Sequence, residues 1–360
     1  MIYLLCIAAI LTFPSVFRVI NVRKANAYYI CAVTLLMIFI IGLRDPLSMN
    51  IDVTRYESYY RRVSALSFKD AVLFDTGSPL YYLLGWLFAK CNIPFQGFMF
   101  SLAASEMGII GRYLKKYSIS PVMSFLVFLG TGGFTFLFYG MRQSVSMIIL
   151  LLCFEYLINK NYLKMVIGLL LAFGFHPTAI VFIPILIASI LPINKLTILF
   201  YSFIFAVCLA FRSQLGAYIT MVFYDNYLNY YESVGTVGGM TLLYLILTML
   251  YCFLCYENIR KKKTHEYYLA IGMIILTIMQ VFSSFAYSFT RINIYYCLMI
   301  MTIAVPKLVD SLGQSKLFGR SRCVVKFGFV LMFSIVMISI FWGSLEGEQI
   351  IDYSFFWEGL

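Results

Sequence analysis

Residues 162–191 read YLKMVIGLLLAFGFHPTAIVFIPILIASIL, two apolar runs that meet at His176 and Pro177. Proline lacks the N–H that a helix uses and restricts the residue before it, so a helix must break or end here. Apolar runs approaching membrane-spanning length recur from one end of the 360-residue chain to the other. The stretch therefore predicts an all-α, polytopic membrane protein with broken helices and a histidine at one of the breaks.

The composition agrees with a membrane protein and disfavours a soluble domain. Apolar residues make up 62% of the chain and charged residues only 12%, and the mean hydropathy is +0.89. A soluble domain of this size would need a more polar surface. Residues 1–17 are apolar from the start, without the basic beginning of a cleavable signal peptide. The net charge of +11 suits anionic lipid headgroups or a polyanionic substrate, and without a polar domain nucleic acid is not expected as a partner.

The chain is predicted to form a single transmembrane domain, residues 1–360, with about 11–13 transmembrane or re-entrant helices. Several of the apolar segments are shorter than the ~20 residues that a full crossing needs. The segments lie near 2–17, 26–43, 79–91, 95–111, 121–138, 141–158, 162–175, 177–191, 195–211, 240–257, 266–286, 290–306 and 324–342.

Basic clusters indicate which helix ends face the cytoplasm, because short cytoplasmic loops carry an excess of Lys and Arg. The clusters lie at 18–24, 112–116, 159–164, 260–263 and 307–326. Three apolar segments separate the first two clusters, where an even number is required, so we interpret 79–91 as a re-entrant or interfacial helix. External loops are then expected near 44–78 and 212–239. The helix ends that carry Arg142, His176 and Arg291 are expected on the same external face.

The first external loop contains IGLRDPLSMNIDVTRYESYYRR, residues 41–62. Arg44 and Asp45 directly follow a predicted helix, and Asp52 and Tyr56 stand four residues apart, which places them on one face if the stretch is helical. We interpret Arg44 and Asp52 as functional. The remaining arginines are explained equally well as interfacial anchors beside a tyrosine belt: Arg55, Arg61 and Arg62.

Two arginines open apolar segments, in YGMRQSVSMIILL (residues 139–151) and in SFTRINIYY (residues 288–296). An arginine one turn inside a span costs about 2–3 kcal/mol unless it is paired or faces water. Beside helix N-terminal amides, Arg142 or Arg291 could hold a phosphate with both arms of its guanidinium. A snorkelling anchor is the alternative for each.

Two sequence features bear on the catalytic mechanism: the histidine at position 176 and the absence of metal-binding motifs. The imidazole of His176 could act as a general base near neutral pH or donate a hydrogen bond to phosphate, and a structural histidine is the alternative. The sequence contains no HExxH motif, no acidic triplet, no GxGxxG and no P-loop. We therefore predict neither a metal site nor a cofactor.

In this order, the motifs resemble those of the EpsG-like branch of the Wzy family of O-antigen polymerases. The matching positions are Gly42-Leu43-Arg44, Asp52 with Tyr56, Pro79 with Tyr81, Arg142-Gln143, Phe175-His176 with Thr178, and Arg291-Ile292. The family often has a glutamate before the proline, whereas this chain reads Gly77-Ser78-Pro79. If that glutamate takes part in catalysis, Asp75 or Asp52 would have to replace it.

The resemblance implies a metal-independent glycosyltransferase with a GT-C-like architecture in the bacterial inner membrane. It would act at the periplasmic face, transferring a growing glycan from undecaprenyl pyrophosphate to the non-reducing end of another lipid-linked unit. Membrane lipids surround it, and a chain-length regulator is a possible partner. His176, Asp52 and Arg142 are the catalytic candidates, with His or Asp as the base and arginines on the pyrophosphate. The substrate-binding candidates are Arg44, Asp45, Tyr56, Tyr81, Gln143 and Arg291.

Two other classes of protein also use arginines in a membrane. A flippase for lipid-linked sugars would favour cations at mid-membrane depth and on both faces, whereas the arginines here gather at the external helix ends. An acyltransferase would have its catalytic histidine deeper in a core with Asn and His. The distribution of charge favours the polymerase.

Overall fold

The computed structural model of the protein describes residues 2–20, 24–46, 51–223, 238–261, 264–283, 287–348 and 350–358. Regular structure in these ranges is helical, apart from an isolated bridge that pairs Arg44 with Phe355. The all-α prediction is confirmed. The predicted external loop near 212–239 begins with a helix, and its tyrosine-rich part, residues 224–237, lies outside the described residues.

The chain divides into two compact units, and the first comprises Met1–Ile180 and Leu331–Leu360. Its N-terminal portion contains ten helices among the described residues. They are α1 (Ile2–Ile20), α2 (Ala25–Gly42), α3 (Ile51–Ser64), α4 (Phe68–Leu73), α5 (Pro79–Lys90), α6 (Phe95–Tyr117), α7 (Pro121–Gly130), α8 (Gly133–Tyr139), α9 (Met141–Ile158) and α10 (Tyr162–Phe175). The predicted external loop 44–78 thus contains two helices of its own, α3 and α4.

The second unit is Val181–Val330. Its helices, within the described ranges, are α11 (Ile183–Ala188), α12 (Lys195–Ala210), α13 (Arg212–Phe223), α14 (Gly239–Leu254), α15 (Tyr256–Ile259), α16 (His265–Ser283), α17 (Tyr287–Tyr296) and α18 (Thr302–Gln314). A π-helical turn, Cys297–Met301, joins α17 to α18. The long helix α19 (Arg322–Gly347) begins in this unit and ends in the first.

Five helices of the described chain are long and apolar enough to cross a membrane: Ala25–Gly42, Met141–Ile158, His265–Ser283, Phe289–Gln314 and Leu317–Gly347. Two bent pairs, α7 with α8 and α12 with the start of α13, would raise the number to seven if each pair is one span. Four shorter apolar helices also occur. The protein is therefore a polytopic membrane protein. Helix α5 has 12 residues, too few for a full crossing, and its interfacial placement stays a prediction.

Two helix breaks in the first unit follow from local sequence rules. Helix α10 ends at Phe175, and His176 adopts an extended backbone ahead of Pro177, as predicted from the dipeptide. The sequence GTGG separates α7 from α8, which are bent by 52°. Gly132 has a φ of 81°, a left-handed conformation that glycine adopts without steric cost.

Packing in the first unit brings several helix ends together. Helices α9 and α10 pack as a hairpin, so the start of α9 and the end of α10 lie at the same end of the unit. The end of α10 also lies against the start of α5: a Cβ at Gly174 would come within 2.5 Å of the Leu80 side chain. The glycine therefore allows this close approach, which sets His176 near the N-terminus of α5.

The C-terminal segment closes the same end of the unit. The Asp45 N–H donates to the carbonyl of Ser354 at 3.0 Å, and the Phe356 N–H donates to the carbonyl of Leu43 at 3.0 Å. The hydroxyl of Tyr3 donates to the carbonyl of Ile350 at 2.6 Å. These bonds fix the start of α1 and the chain that leaves α2 against the last described residues.

Candidate active site

The centre of the candidate site is an ion pair between Arg142 and Asp75. Nη1 of Arg142, the second residue of α9, lies 2.7 Å from Oδ2 of Asp75 and 3.5 Å from Oγ of Ser78. Both charged side chains are partly exposed, Arg142 by 28% and Asp75 by 31%. The guanidinium is therefore accessible, although it is paired with a carboxylate.

Aromatic rings flank the Arg142 guanidinium. Its central carbon lies 5.7 Å from the ring centre of Tyr56 and 5.9 Å from that of Tyr82, within the range of cation–π attraction. Tyr56 also hydrogen-bonds to Arg142. These contacts restrict the guanidinium to one place. Tyr56 therefore lies on the face of α3 that meets Arg142, while its contact with substrate stays a prediction.

The local sequence explains how Asp75 reaches Arg142. Oδ1 of Asp75 accepts a hydrogen bond from the N–H of Gly77 at 2.8 Å, which closes a short turn. The other carboxylate oxygen, Oδ2, then faces Arg142. Pro79 then starts α5 at a position where its missing N–H costs nothing. The turn between α4 and α5 thus presents the carboxylate to the start of α9.

Tyr81 and Gln143 lie beside this centre. Tyr81 is buried, with its ring 5.7 Å from that of Tyr56, and its hydroxyl donates to the sulfur of Met141 at 3.8 Å. Gln143 is half-buried in the first turn of α9. The structure places both next to Arg142, and their predicted contacts with substrate stay predictions.

Arg44 lies deeper than the sequence led us to expect, since only 1% of it is exposed. Its guanidinium donates to the carbonyls of Ile41 and Phe138, the latter at 2.8 Å, and lies 5.4 Å from the ring centre of Phe138. Burial lowers the pKa of Arg44 to about 10, so it stays protonated at neutral pH. The substrate contacts predicted for Arg44 and for its neighbour Asp45 stay untested predictions.

Glu106 is a buried acidic residue that the sequence analysis missed. It is 4% exposed, it accepts a hydrogen bond of 2.6 Å from Oγ of Ser144, and its charge and that of Arg44 act on each other. A lone glutamate inside the apolar run SLAASEMGII (residues 101–110) is the signal that could have found it. Because Ser144 lies in the first turn of α9, Glu106 helps to fix the helix end that carries Arg142.

A second acidic group lies at the start of α3. Asp52 is half-buried, and its Oδ1 lies 3.7 Å from Nη1 of Arg55. The carboxylate of Glu348 hydrogen-bonds to Tyr139 and is close enough to Asp52 for the two charges to interact. Burial raises the pKa of Glu348, although the hydrogen bond from Tyr139 opposes this shift. Glu348, absent from the sequence-based candidates, thus joins Asp52 at the end of the unit where α9 begins.

The contacts of His176 restrict its tautomer. Nδ1 lies 3.2 Å from the backbone nitrogen of Thr178, which can only donate, and 2.8 Å from the Thr178 hydroxyl. Nδ1 therefore acts as an acceptor, and the neutral imidazole carries its hydrogen on Nε2. In this state Nε2 carries the hydrogen and can only donate, which favours a donor role over a base role.

Arg291 belongs to the second unit. It is half-buried and is the fifth residue of α17. Two residues later, the amide of Asn293 donates to Oε1 of Gln280 at 2.6 Å, and Gln280 in turn donates to Oγ of Ser283 at 2.6 Å. This amide network fixes α17 against α16. A shared site of Arg291 and Arg142 stays a prediction.

The opposite end of the first unit is basic. Glu155, 13 residues after Arg142 and thus about 20 Å further along α9, pairs with Arg112 and Lys116 at the end of α6. The site around Arg142 and the basic cluster 112–116 therefore lie at opposite ends of the unit. This separation agrees with the sidedness expected from the positive-inside rule.

We expect cysteine labelling to place these two ends on opposite sides of the membrane. In a background without native cysteines, a membrane-impermeant maleimide should label Thr76→Cys from the periplasm, since Thr76 is exposed beside Asp75. Ile119→Cys, exposed in the turn after α6, should react only after cell disruption. The reverse pattern would contradict a periplasmic site.

Metal ligands do not converge in the described part of the chain: no group of three or more His, Cys, Asp or Glu side chains has a suitable arrangement. Cys252 and Cys255 have CxxC spacing, and both are free thiols. The sulfur of Cys255 lies 3.4 Å from Oγ of Ser311. This pair of cysteines therefore offers no complete ligand set.

The fold and the site define an all-helical, polytopic membrane protein with a tyrosine-flanked arginine at one end of its first unit. Comparison with known sequences gives its family. The family model for the EpsG family matches residues 27–355, so the chain belongs to the EpsG family. The match covers the Arg142 centre as well as Arg291, and it supports a polymerase-like role in polysaccharide biosynthesis. No curated protein and no solved structure matches the chain.

Proposed function

We propose that the chain polymerises oligosaccharide repeat units carried on undecaprenyl pyrophosphate at the periplasmic face of the bacterial inner membrane. The observation that carries the proposal is the Arg142–Asp75 pair, in which a partly exposed guanidinium already holds an oxyanion at 2.7 Å. Membership of the EpsG family supports the polymerase class. In addition, we propose a GT-C-like architecture and a chain-length regulator as a membrane partner.

In this proposal the donor pyrophosphate replaces Asp75 at Arg142. A carboxylate and a phosphate offer a guanidinium similar pairs of oxygen atoms, so the same planar group can bind either one. Because α9 begins at Met141, its N-terminal amides add to the attraction for an anion. Tyr56 and Tyr82 hold the guanidinium in place during the exchange.

The reaction transfers a glycosyl group from the lipid carrier to an acceptor hydroxyl, forming one bond and breaking another. The acceptor hydroxyl oxygen attacks the anomeric carbon of the donor, a new glycosidic bond forms, and the bond from that carbon to the pyrophosphate oxygen breaks. The electron pair leaves with undecaprenyl pyrophosphate, whose developing charge Arg142 stabilises, with Nε2–H of His176 as a further donor. Arg291 lies in the second unit, and its role in binding pyrophosphate stays a prediction.

The proton of the acceptor hydroxyl must pass to a base. Asp52 is our choice, because it is a half-buried carboxylate on α3, the same helix as Tyr56, which contacts Arg142. His176 is less suitable, since its Nδ1 already accepts the Thr178 N–H. Glu348 lies close enough to Asp52 for the two side chains to interact electrostatically.

Polymerisation by the purified protein in detergent would test the function. We expect lipid-linked repeat units to be joined into a ladder in the presence of EDTA, because the leaving-group charge is stabilised by arginines. A flippase forms no glycosidic bond, so it would make no polymer in this assay. Loss of the ladder in EDTA with recovery on addition of Mg²⁺ or Mn²⁺ would contradict the metal-independent mechanism.

A further inference from the structure

A groove between α6 and α9 lies at the end of the first unit opposite Arg142. Ile109 and Leu152 line its apolar part, and Arg112 and Lys116 line its charged part. Along α6 the two cations follow Ile109 by about one and two helical turns. Leu152 likewise precedes Glu155 on α9 by about one turn. The groove therefore changes from apolar to charged in one direction along both helices.

A buried glutamate organises the charged part. Glu155 is 3% exposed, and its two carboxylate oxygens accept one hydrogen bond from Arg112 and one from Lys116, the latter at 3.1 Å. The cationic side chains remain about half exposed, Arg112 by 51% and Lys116 by 47%. Glu155 thus holds both heads at the groove while leaving them accessible.

The charges in the groove do not cancel. Two cations face one carboxylate, which leaves a net positive charge. A guanidinium has five N–H donors and an ammonium has three, more than the two oxygens of Glu155 can accept. One cation would already neutralise Glu155, so the second provides positive charge for an anion from outside the protein. Tyr156 and Asn159 complete the polar lining.

We propose that this groove binds an anionic phospholipid of the inner leaflet. The phosphodiester contacts Arg112 and Lys116, and the first part of an acyl chain lies along Ile109 and Leu152. The order from apolar to cationic matches the order from acyl chain to headgroup, and the net positive charge selects an anionic lipid over a zwitterionic one. The binding site is independent of the proposed polymerase function.

Fluorescence quenching in bilayers can test the site. The reporter is Tyr156→Trp in a background where Trp86, Trp342 and Trp357 are phenylalanine. The protein is reconstituted in phosphatidylcholine with either brominated phosphatidylglycerol or brominated phosphatidylcholine. One net positive charge facing an anionic lipid predicts that brominated phosphatidylglycerol quenches at an about fivefold lower mole fraction. Equal quenching by the two lipids would overturn the proposal.

The decisive variant neutralises the groove without leaving a buried charge unpaired. The triple variant Arg112→Gln, Lys116→Gln, Glu155→Gln should lose the preference for phosphatidylglycerol, with its folding checked by thermal unfolding in a zwitterionic detergent. The control Lys115→Gln removes an exposed cation next to the groove and should keep the preference. Retention by a folded triple variant would overturn the proposal.

Soluble anions provide the last arm of the test. Excess inorganic phosphate should leave the quenching by brominated phosphatidylglycerol unchanged, because it lacks the acyl chain that lies on Ile109 and Leu152. Displacement of the lipid by phosphate would show a free-anion site and overturn the assignment to a phospholipid.

Discussion

Replacing Arg142 by lysine is expected to reduce polymer formation by about thirtyfold to a thousandfold, corresponding to about 2–4 kcal/mol of lost transition-state stabilisation. Lysine keeps the charge but lacks the planar group that binds two oxygens at once. It also lacks the flat surface that lies between the rings of Tyr56 and Tyr82. Arg142→Ala should be at least as damaging. The measurement is polymer ladder length in cells, normalised to the amount of protein in the membrane.

Arg61→Lys is the matched control. Arg61 pairs with Glu57 on the outer side of α3 and its side chain is 77% exposed, so the same substitution there should leave the ladder unchanged. Near-normal ladders from Arg142→Ala would remove this arginine from the mechanism. Equal losses from Arg61→Lys and Arg142→Lys would indicate a general effect on folding or insertion.

Features of the fold that depend on local rules could be predicted from the sequence. The all-helical class follows from apolar length, and the end of α10 at Phe175 follows from the proline two residues later. The position of Arg142 at the start of α9 follows from the glycine before it and the apolar run after it. Such predictions need only residues within a few turns of each other.

Contacts between distant parts of the chain were beyond the sequence. Asp75 and Arg142 are separated by 67 positions, and no spacing rule links them. Arg44 is buried near Glu106, a depth that no local sequence rule sets, and its predicted contact with substrate stays untested. A sequence shows that a charge in an apolar region must be paired or face water, but the partner is set by helix packing. Glu348 could not be predicted from the sequence for the same reason, because only the fold brings the end of α19 close to Asp52.

The identity of the base is the point at which the structure adds most to the sequence. From residue types alone, His176 and Asp52 were equally suitable as the general base. A base must have a lone pair available for the incoming proton. Nδ1 of His176 already accepts the Thr178 N–H, so its other nitrogen carries the hydrogen. An ionised carboxylate such as that of Asp52, which lies 3.7 Å from Arg55, has two oxygens with about four acceptor sites, so it can accept a proton while it keeps other contacts.

Asp52→Asn is therefore expected to reduce polymer formation about a hundredfold or more, the usual contribution of a general base. His176→Gln should retain far more activity than His176→Ala, because glutamine can still donate a hydrogen bond to the pyrophosphate. Asp70→Asn makes the same change at an exposed carboxylate on α4 and should keep a normal ladder. The ladder assay in cells compares all four variants at equal protein levels. A normal ladder from Asp52→Asn, together with equal losses from His176→Gln and His176→Ala, would make His176 the base and contradict the role of Asp52.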